Sequence, residues 1–325
     1  SRPVSIYSTL RNNISLGYVK TEKKKNLKPE QETENNSIMT MKYNIDFGII
    51  TALYEDEFNK IESFFIWNEE LDMGTKIYKI GHPKSNPAKK VVAAVLTETG
   101  LVDAAVIATQ MAELFKPKII MMPGVCGGDI KTNIGDIIVA KSIFMFQKGK
   151  LSDIKNSKGE LMKLINSKGE EFDPLDLEDE DGKQIILNVE KFEIEHSSIC
   201  ETDPVIIDKL RPKLKRIESK INSEIESYGK KVQVHFEPMA CSSMVINKEG
   251  YFEKYVKPVD RKVIALEMES YGIARACQFA NRGQTKVLIF KSVMDNMKDK
   301  EDINKSFAGQ TSALFLKYLI EEDIF

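Results

Sequence analysis

The chain has 325 residues, a formal net charge of −2 and 30% charged residues. Such balance leaves no global field to attract nucleic acid or an anionic membrane, and the length allows one large or two modest domains with an ample core. No apolar run approaches the roughly 18 residues of a membrane span and no signal-peptide pattern opens the chain, so a soluble cytoplasmic protein is expected.

Residues 1–42 read as an N-terminal extension and linker, because 21–37 (TEKKKNLKPEQETENNS) is polar, charged and rich in lysine. From 43 to 325 the pattern becomes that of a folded domain. Residues 45–50 form an apolar strand, and 55–65 place Phe58, Ile61, Phe64 and Phe65 at helical spacing. A second strand is expected at 90–96, a helix at 100–112, and further strands at 118–122 and 135–140. An irregular region follows at 151–236, with the acidic run Glu178-Asp179-Glu180-Asp181 as a solvated loop. Within it Thr202-Asp203-Pro204 starts a helix in which Ile207, Leu210, Leu214, Ile217, Ile221 and Ile225 form a stripe. Pro212 kinks that helix or marks its true start. Late strands at 263–266 and 286–290 and a terminal helix at 304–322 complete the alternation. The fold class expected is α/β: a single three-layer domain with a central, mixed, largely buried sheet flanked by helices.

The four cysteines, Cys126, Cys200, Cys241 and Cys277, are scattered without CxxC spacing, and a buried thiol is the default for three of them. The three histidines are not paired at ligand spacing, so neither a metal site nor a cofactor is expected.

Carboxylates gather where strands end. Glu267-Met268-Glu269 follows an apolar segment and opens a helix with small residues at 272, 276 and 280, and Asp295 closes the last strand. Glu55-Asp56-Glu57 stands just past the first strand. In α/β proteins such positions face the ligand crevice. Each also has a plain structural use, as a helix-dipole partner or the first residue of a turn. Between them Pro123-Gly124-Val125-Cys126-Gly127-Gly128 lets backbone amides approach a ligand closely, without the spacing of a Walker loop or a Rossmann fingerprint.

Taken in order, these segments resemble the nucleoside phosphorylase superfamily, and most closely its methylthioadenosine/S-adenosylhomocysteine nucleosidase-like branch. The resemblance runs from about Asp46 to Glu322. It is carried by 48–57, Thr99-Gly100-Leu101-Val102, Gly124 to Gly128 with Gly135-Asp136-Ile137-Ile138-Val139, 240–247, 266–276 and 291–295. It implies hydrolysis of the N-glycosidic bond of a purine nucleoside or nucleotide, with adenine the expected base. Asp295 matches the general acid that protonates the leaving purine. Glu57 matches the residue that positions the attacking water, with Asp56 or Glu55 as alternative holders because the loop carries an extra residue. Glu269 and Met268 match the ribose-binding pair, with Glu267 in support. Val245 and Ile246 match the purine-binding segment, and Gly124, Val125 and Gly127 form the glycine-rich wall. The donor Asp295 must keep its proton near neutral pH, which asks for burial or a neighbouring carboxylate.

Two departures matter. Phosphorolytic relatives grip phosphate with an arginine and a hydroxyl where this chain has Met122 and Val125, so water is favoured over phosphate as nucleophile. The residue before the catalytic Asp, commonly Ser, is Met294, so a hydrogen bond orienting Asp295 is either absent or comes from Ser292 or Asn296. Phosphorolysis and a nucleoside-sensing module without turnover stand as alternatives. Lys141, Lys148 and Lys150 are candidates to meet a 5′-phosphate, or else solvated loop lysines. By analogy a homodimer or higher homo-oligomer is expected.

Overall fold

The computed structural model describes residues 44–153, 158, 164–165, 171–172, 190–194, 199–246, 250–296 and 304–324. The expected extension at 1–42 and the acidic run at 178–181 lie outside the described residues.

Strand β1 (Phe47–Thr51) is buried throughout, as its continuous apolar sequence requires. A π-helical turn, Tyr54–Phe58, follows and runs into the short α1 (Asn59–Glu62). The wider turn is visible in the 3.0 Å bond from Phe58 N–H to the carbonyl of Leu53. The helix expected to reach residue 65 therefore stops at 62. Phe65 instead begins an edge hairpin, β2 (Phe65–Asp72) and β3 (Ile77–Pro83), ahead of β4 (Val91–Val95). Helix α2 (Leu101–Phe115) leads to β5 (Ile119–Met122), and the glycine-rich segment forms a fully buried strand, β6 (Val125–Gly128).

Strand β7 (Ile137–Met145) precedes two small antiparallel pairs, β8 (Gly149–Asp153) with β11 (Glu190–Ile194) and β9 (Leu164–Ile165) with β10 (Glu171–Phe172). After β12 (Cys200–Glu201), Asp203 caps α3 (Pro204–Leu210), accepting from the Val205 N–H. Pro212 sits in a 3-10 turn that separates α3 from α4 (Leu214–Glu224). Strand β13 (Val234–Cys241), β14 (Ala265–Glu267), α5 (Ser270–Phe279), β15 (Lys286–Asp295) and α6 (Lys305–Glu321) follow.

Eleven strands make one mixed sheet in the order β12-β7-β13-β14-β6-β15-β5-β1-β4-β3-β2, with a further pairing of β7 to β15. That pairing closes β7, β13, β14, β6 and β15 into a ring. Strand β15 forks to make it possible: Lys286 to Ile289 pair with β5, Phe290 to Ser292 with β7, and Ser292 to Asp295 with β6.

Helices cover both faces. On one, α2 and α5 approach so closely that a Cβ on Gly272 would overlap the Leu101 carbonyl. This explains the small residues expected along α5. On the other, Leu314, Phe315 and Leu319 of α6 pack with Ile217 and Ile221 of α4 against β1 and β15. The amphipathic stripe thus packs within its own domain. All four cysteines are buried and unpaired. Among the described residues no helix is long and apolar enough to cross a membrane, and no His/Cys/Asp/Glu group is arranged to hold a metal ion.

Candidate active site

A cavity of about 200 Å³ opens at the strand ends where β1, β6, β14 and β15 meet. Glu57, Glu267, Met268 and Glu269 line it, with Val125 and Gly127 of β6. An apolar wall of Met244, Val245, Ile246, Leu266 and Met294 faces them. Such a pairing of apolar wall and few polar groups is the usual make-up of a small-molecule site. A larger groove, about 530 Å³, lies beyond the π-helical turn against Tyr54, Phe58 and Ile77. Its charged side chains are exposed or half-buried, so it lacks the buried chemistry of the first.

The π-helical turn selects one carboxylate from its acidic run. Glu55 is exposed, Asp56 is half-buried and pairs with Lys305 at 3.4 Å, and Glu57 is buried in the cavity. Glu57 Oε2 accepts from the backbone N–H of Ala52 at 2.7 Å and of Leu53 at 3.0 Å, and Oε1 from that of Val125 at 3.0 Å. A carboxylate offers about four acceptor positions, so among the described residues one is left over. Gly124 makes room for this: its φ is +155°, and a Cβ there would overlap Glu57 Oε1 and sit 2.6 Å from Lys291 Nζ. Gly124 itself does not line the cavity; its N–H donates to Ser312 Oγ of α6 at 2.8 Å.

Glu267 and Glu269 divide their duties. Glu267 accepts from the backbone N–H groups of Glu269 (3.0 Å) and Ser270 (2.9 Å), and from the Ser270 hydroxyl. It therefore satisfies the orphan donors that open α5. Glu269 is relieved of capping, and its Oε1 accepts from Gly100 N–H at 3.0 Å while Oε2 lies 3.9 Å from Lys291 Nζ. Burial pushes the Glu269 carboxyl up to about 7, against the pull of Lys291 and with the help of Glu267 and Glu57.

Lys291 is the residue missed in the sequence. Its side chain is fully buried, and among the described residues its Nζ has no hydrogen-bond partner. Glu267 Oε2 is 4.0 Å away. Burial alone would lower the lysine pKa, but Glu57, Glu269 and Glu267 outweigh it and hold the value above normal. Lys291 is a charged ammonium balancing three carboxylates. The signal was a lysine inside the apolar run Val287-Leu288-Ile289-Phe290-Lys291-Ser292-Val293. Burial raises the pKa of the neighbouring Cys126, which keeps it a thiol rather than a nucleophilic thiolate.

Asp295 is buried, at 6% exposure, and stands opposite Gly127 in the β15–β6 ladder. A bulge between Val293 and Asp295 makes Met294 the extra residue. It is Met294, rather than Asp295, that forms part of the cavity wall. The expected orienting residues are engaged elsewhere: Ser292 Oγ shares a 2.7 Å bond with Thr311 Oγ1, and Asn296 Nδ2 donates to Asp129 and Thr132. Ile246 is buried and Val245 is 67% exposed at the mouth. Gln147 pins the preceding loop, its Oε1 accepting from Ser243 N–H at 2.7 Å. Lys141, Lys148 and Lys150 are exposed and line no part of the cavity.

The sequence profile of the phosphorylase superfamily matches residues 47–320. An uncharacterized protein of Sinorhizobium fredii, y4jS, is 25% identical over 230 residues, which cover 70% of this chain and 48% of that one. The chain thus spans about half the length of that curated relative. Among solved structures, futalosine hydrolase of Helicobacter pylori is similar at a TM-score of 0.57 and 18% identity, covering 86% of this chain and 98% of that one. The methylthioadenosine/S-adenosylhomocysteine nucleosidase of S. pneumoniae, solved with a transition-state inhibitor, gives 0.58 and 16%, covering 85% and 99%. That of Colwellia psychrerythraea, solved with adenine, gives 0.57 and 15%, covering 86% and 95%.

Proposed function

The chain belongs to the phosphorylase superfamily, and from that premise we propose that it hydrolyses the N-glycosidic bond of a purine, adenine above all, nucleoside or nucleotide. The observation that carries the reading is the buried set of Glu57, Glu269 and Lys291 beside one cavity, with one acceptor position of Glu57 left over.

Breaking this bond builds positive charge on the sugar and negative charge on the departing base. Glu57 holds a water and takes its proton as the oxygen attacks the anomeric carbon. The carbon–nitrogen bond breaks with its electron pair leaving on the purine, and Asp295 gives a proton to the base. Solvent then returns both carboxyls to their starting states. Glu269, beside the Met268 backbone, accepts from the ribose hydroxyls. Met244, Val245, Ile246 and Met294 provide the apolar slot for the base. Water is favoured over phosphate because Met122 is fully buried and Val125 offers no side-chain donor.

One observation favours a second reading, a nucleoside-binding module without turnover: Met294 takes the wall position that a general acid would need. Free-base release measured by chromatography from adenosine, methylthioadenosine, S-adenosylhomocysteine, inosine, AMP and ATP, with and without phosphate, separates the readings. Phosphate-independent release lost in Asp295→Asn and Glu57→Gln supports hydrolysis. Release that requires phosphate supports phosphorolysis, and binding without release supports the sensor.

A further inference from the structure

Three lysines meet at the first turn of α6. Lys305 opens the helix and shares the cavity lining with Glu57, and it pairs at 3.4 Å with half-buried Asp56. Lys60 Nζ donates to Ser306 Oγ at 2.9 Å, and Lys230 Nζ reaches Asn304 Oδ1 at 3.5 Å. Lys60 and Lys230 line a second cavity of about 370 Å³ that shares this turn. The turn contains no acidic residue. Asp56 neutralises one of these three ammonium groups, and the other two, beside the positive end of a helix, attract a further anion.

Among the described residues Lys305 is the one cation in the cavity lining. The same lining carries Glu57, Glu267 and Glu269, which face the buried Lys291. Within that lining a phosphate is repelled by the carboxylates and attracted by Lys305. The lysines named in the sequence as phosphate contacts lie away from the cavity, so this role falls to Lys305.

We propose that Lys305 binds a phosphate group attached to the substrate's sugar, and that Lys60 and Lys230 take further phosphates running over the start of α6. The substrate is then a nucleotide rather than a nucleoside, a proposal that rests on the hydrolytic reading above. Inorganic phosphate offers the same chemistry, so the test must tell the two sources apart.

The test is kcat/KM for base release from adenosine, AMP and ATP, with and without inorganic phosphate, in wild type, Lys305→Ala, Lys305→Arg and Lys60→Ala/Lys230→Ala. The expected result is AMP preferred over adenosine at least tenfold. That ratio should collapse at least tenfold in Lys305→Ala, persist in Lys305→Arg, and the ATP-over-AMP preference should fall in the double variant. Equal use of adenosine and AMP, or a ratio unmoved by Lys305→Ala, overturns the proposal. So does adenosine cleavage that needs inorganic phosphate and loses that need in Lys305→Ala. If no substrate releases base, hydrolysis fails, and the proposal is read from binding: AMP must bind tighter than adenosine by calorimetry, in a Lys305-dependent way, or it falls too.

Discussion

Lys291 Nζ lies 3.9 Å from Glu269 Oε2 with no water-accessible surface, so the two charges are held together inside the protein. Removing the cation leaves Glu57, Glu267 and Glu269 facing one another. Breaking a buried ion pair from one side typically costs about 3–5 kcal/mol. Lys291→Met is therefore expected to lower stability by roughly that amount at pH 8, and by less at pH 5.5, where Glu269 takes up a proton. Urea unfolding at the two pH values checks this; equal losses would show that the lysine is merely a packing element.

The raised value of Glu269 gives a signed pH dependence. Its carboxyl binds protons more tightly in the folded chain, from an ordinary 4.5 up to about 7. Between those values the folded state holds more protons than the unfolded one, so stability falls as pH rises through that window. The contribution is complete below 4.5 and lost once pH has passed about 7. Glu269→Gln, a permanent stand-in for the protonated acid, should flatten the slope. Unfolding midpoints from pH 4.5 to 8 in both proteins are the measurement.

At Gly124 the obstacle to a side chain is the working atoms themselves, Glu57 Oε1 and Lys291 Nζ. Both are flexible ends, so they can move aside. Gly124→Ala is expected to cost a modest ~1–3 kcal/mol of stability. Activity should fall far more, at least a hundredfold in kcat/KM, because the displaced atoms belong to the site. An activity loss no larger than the unfolded fraction would remove Glu57 from its proposed role.

Glu267 should behave oppositely. Its oxygens are occupied by the start of α5, so Glu267→Ala is expected to lose about 1–2 kcal/mol, the range for a helix cap. Glu267→Gln keeps one carbonyl acceptor and should lose less. Thermal unfolding of the pair decides, with Ser270→Ala as the comparison.

Much of this was readable in the sequence, for physical reasons that differ from element to element. Strands β1, β4, β5 and β15 are buried on both faces, and an unbroken apolar run leaves few other conformations. The hairpin β2–β3 was hidden because Phe64 and Phe65 continue a helical spacing from Phe58 and Ile61. The exposed alternation that identifies β2 begins only at Phe65. The grouping of Glu57 with Glu267 and Glu269 was legible from their places after strands. The division of labour between the last two was not, because it depends on which side chain reaches the free N–H groups of α5. Lys291 and Lys305 depend on long-range geometry: the fork of β15 for one, and the seating of α6 against the Asp56 backbone for the other.

The bulge at Met294 separates what can vary here from what cannot. A different residue at 294 would reshape one wall of the cavity and leave the ladder intact. Deleting it would place Asp295 directly after Val293, still opposite Gly127, and would take away the wall that Met294 supplies. Drift in this lineage can then retune ligand shape by substitution at 294, in small steps. Loss of a codon there would remove that wall in one step while the ladder closes over the gap, so chain length in this stretch reports on the cavity rather than on the position of Asp295.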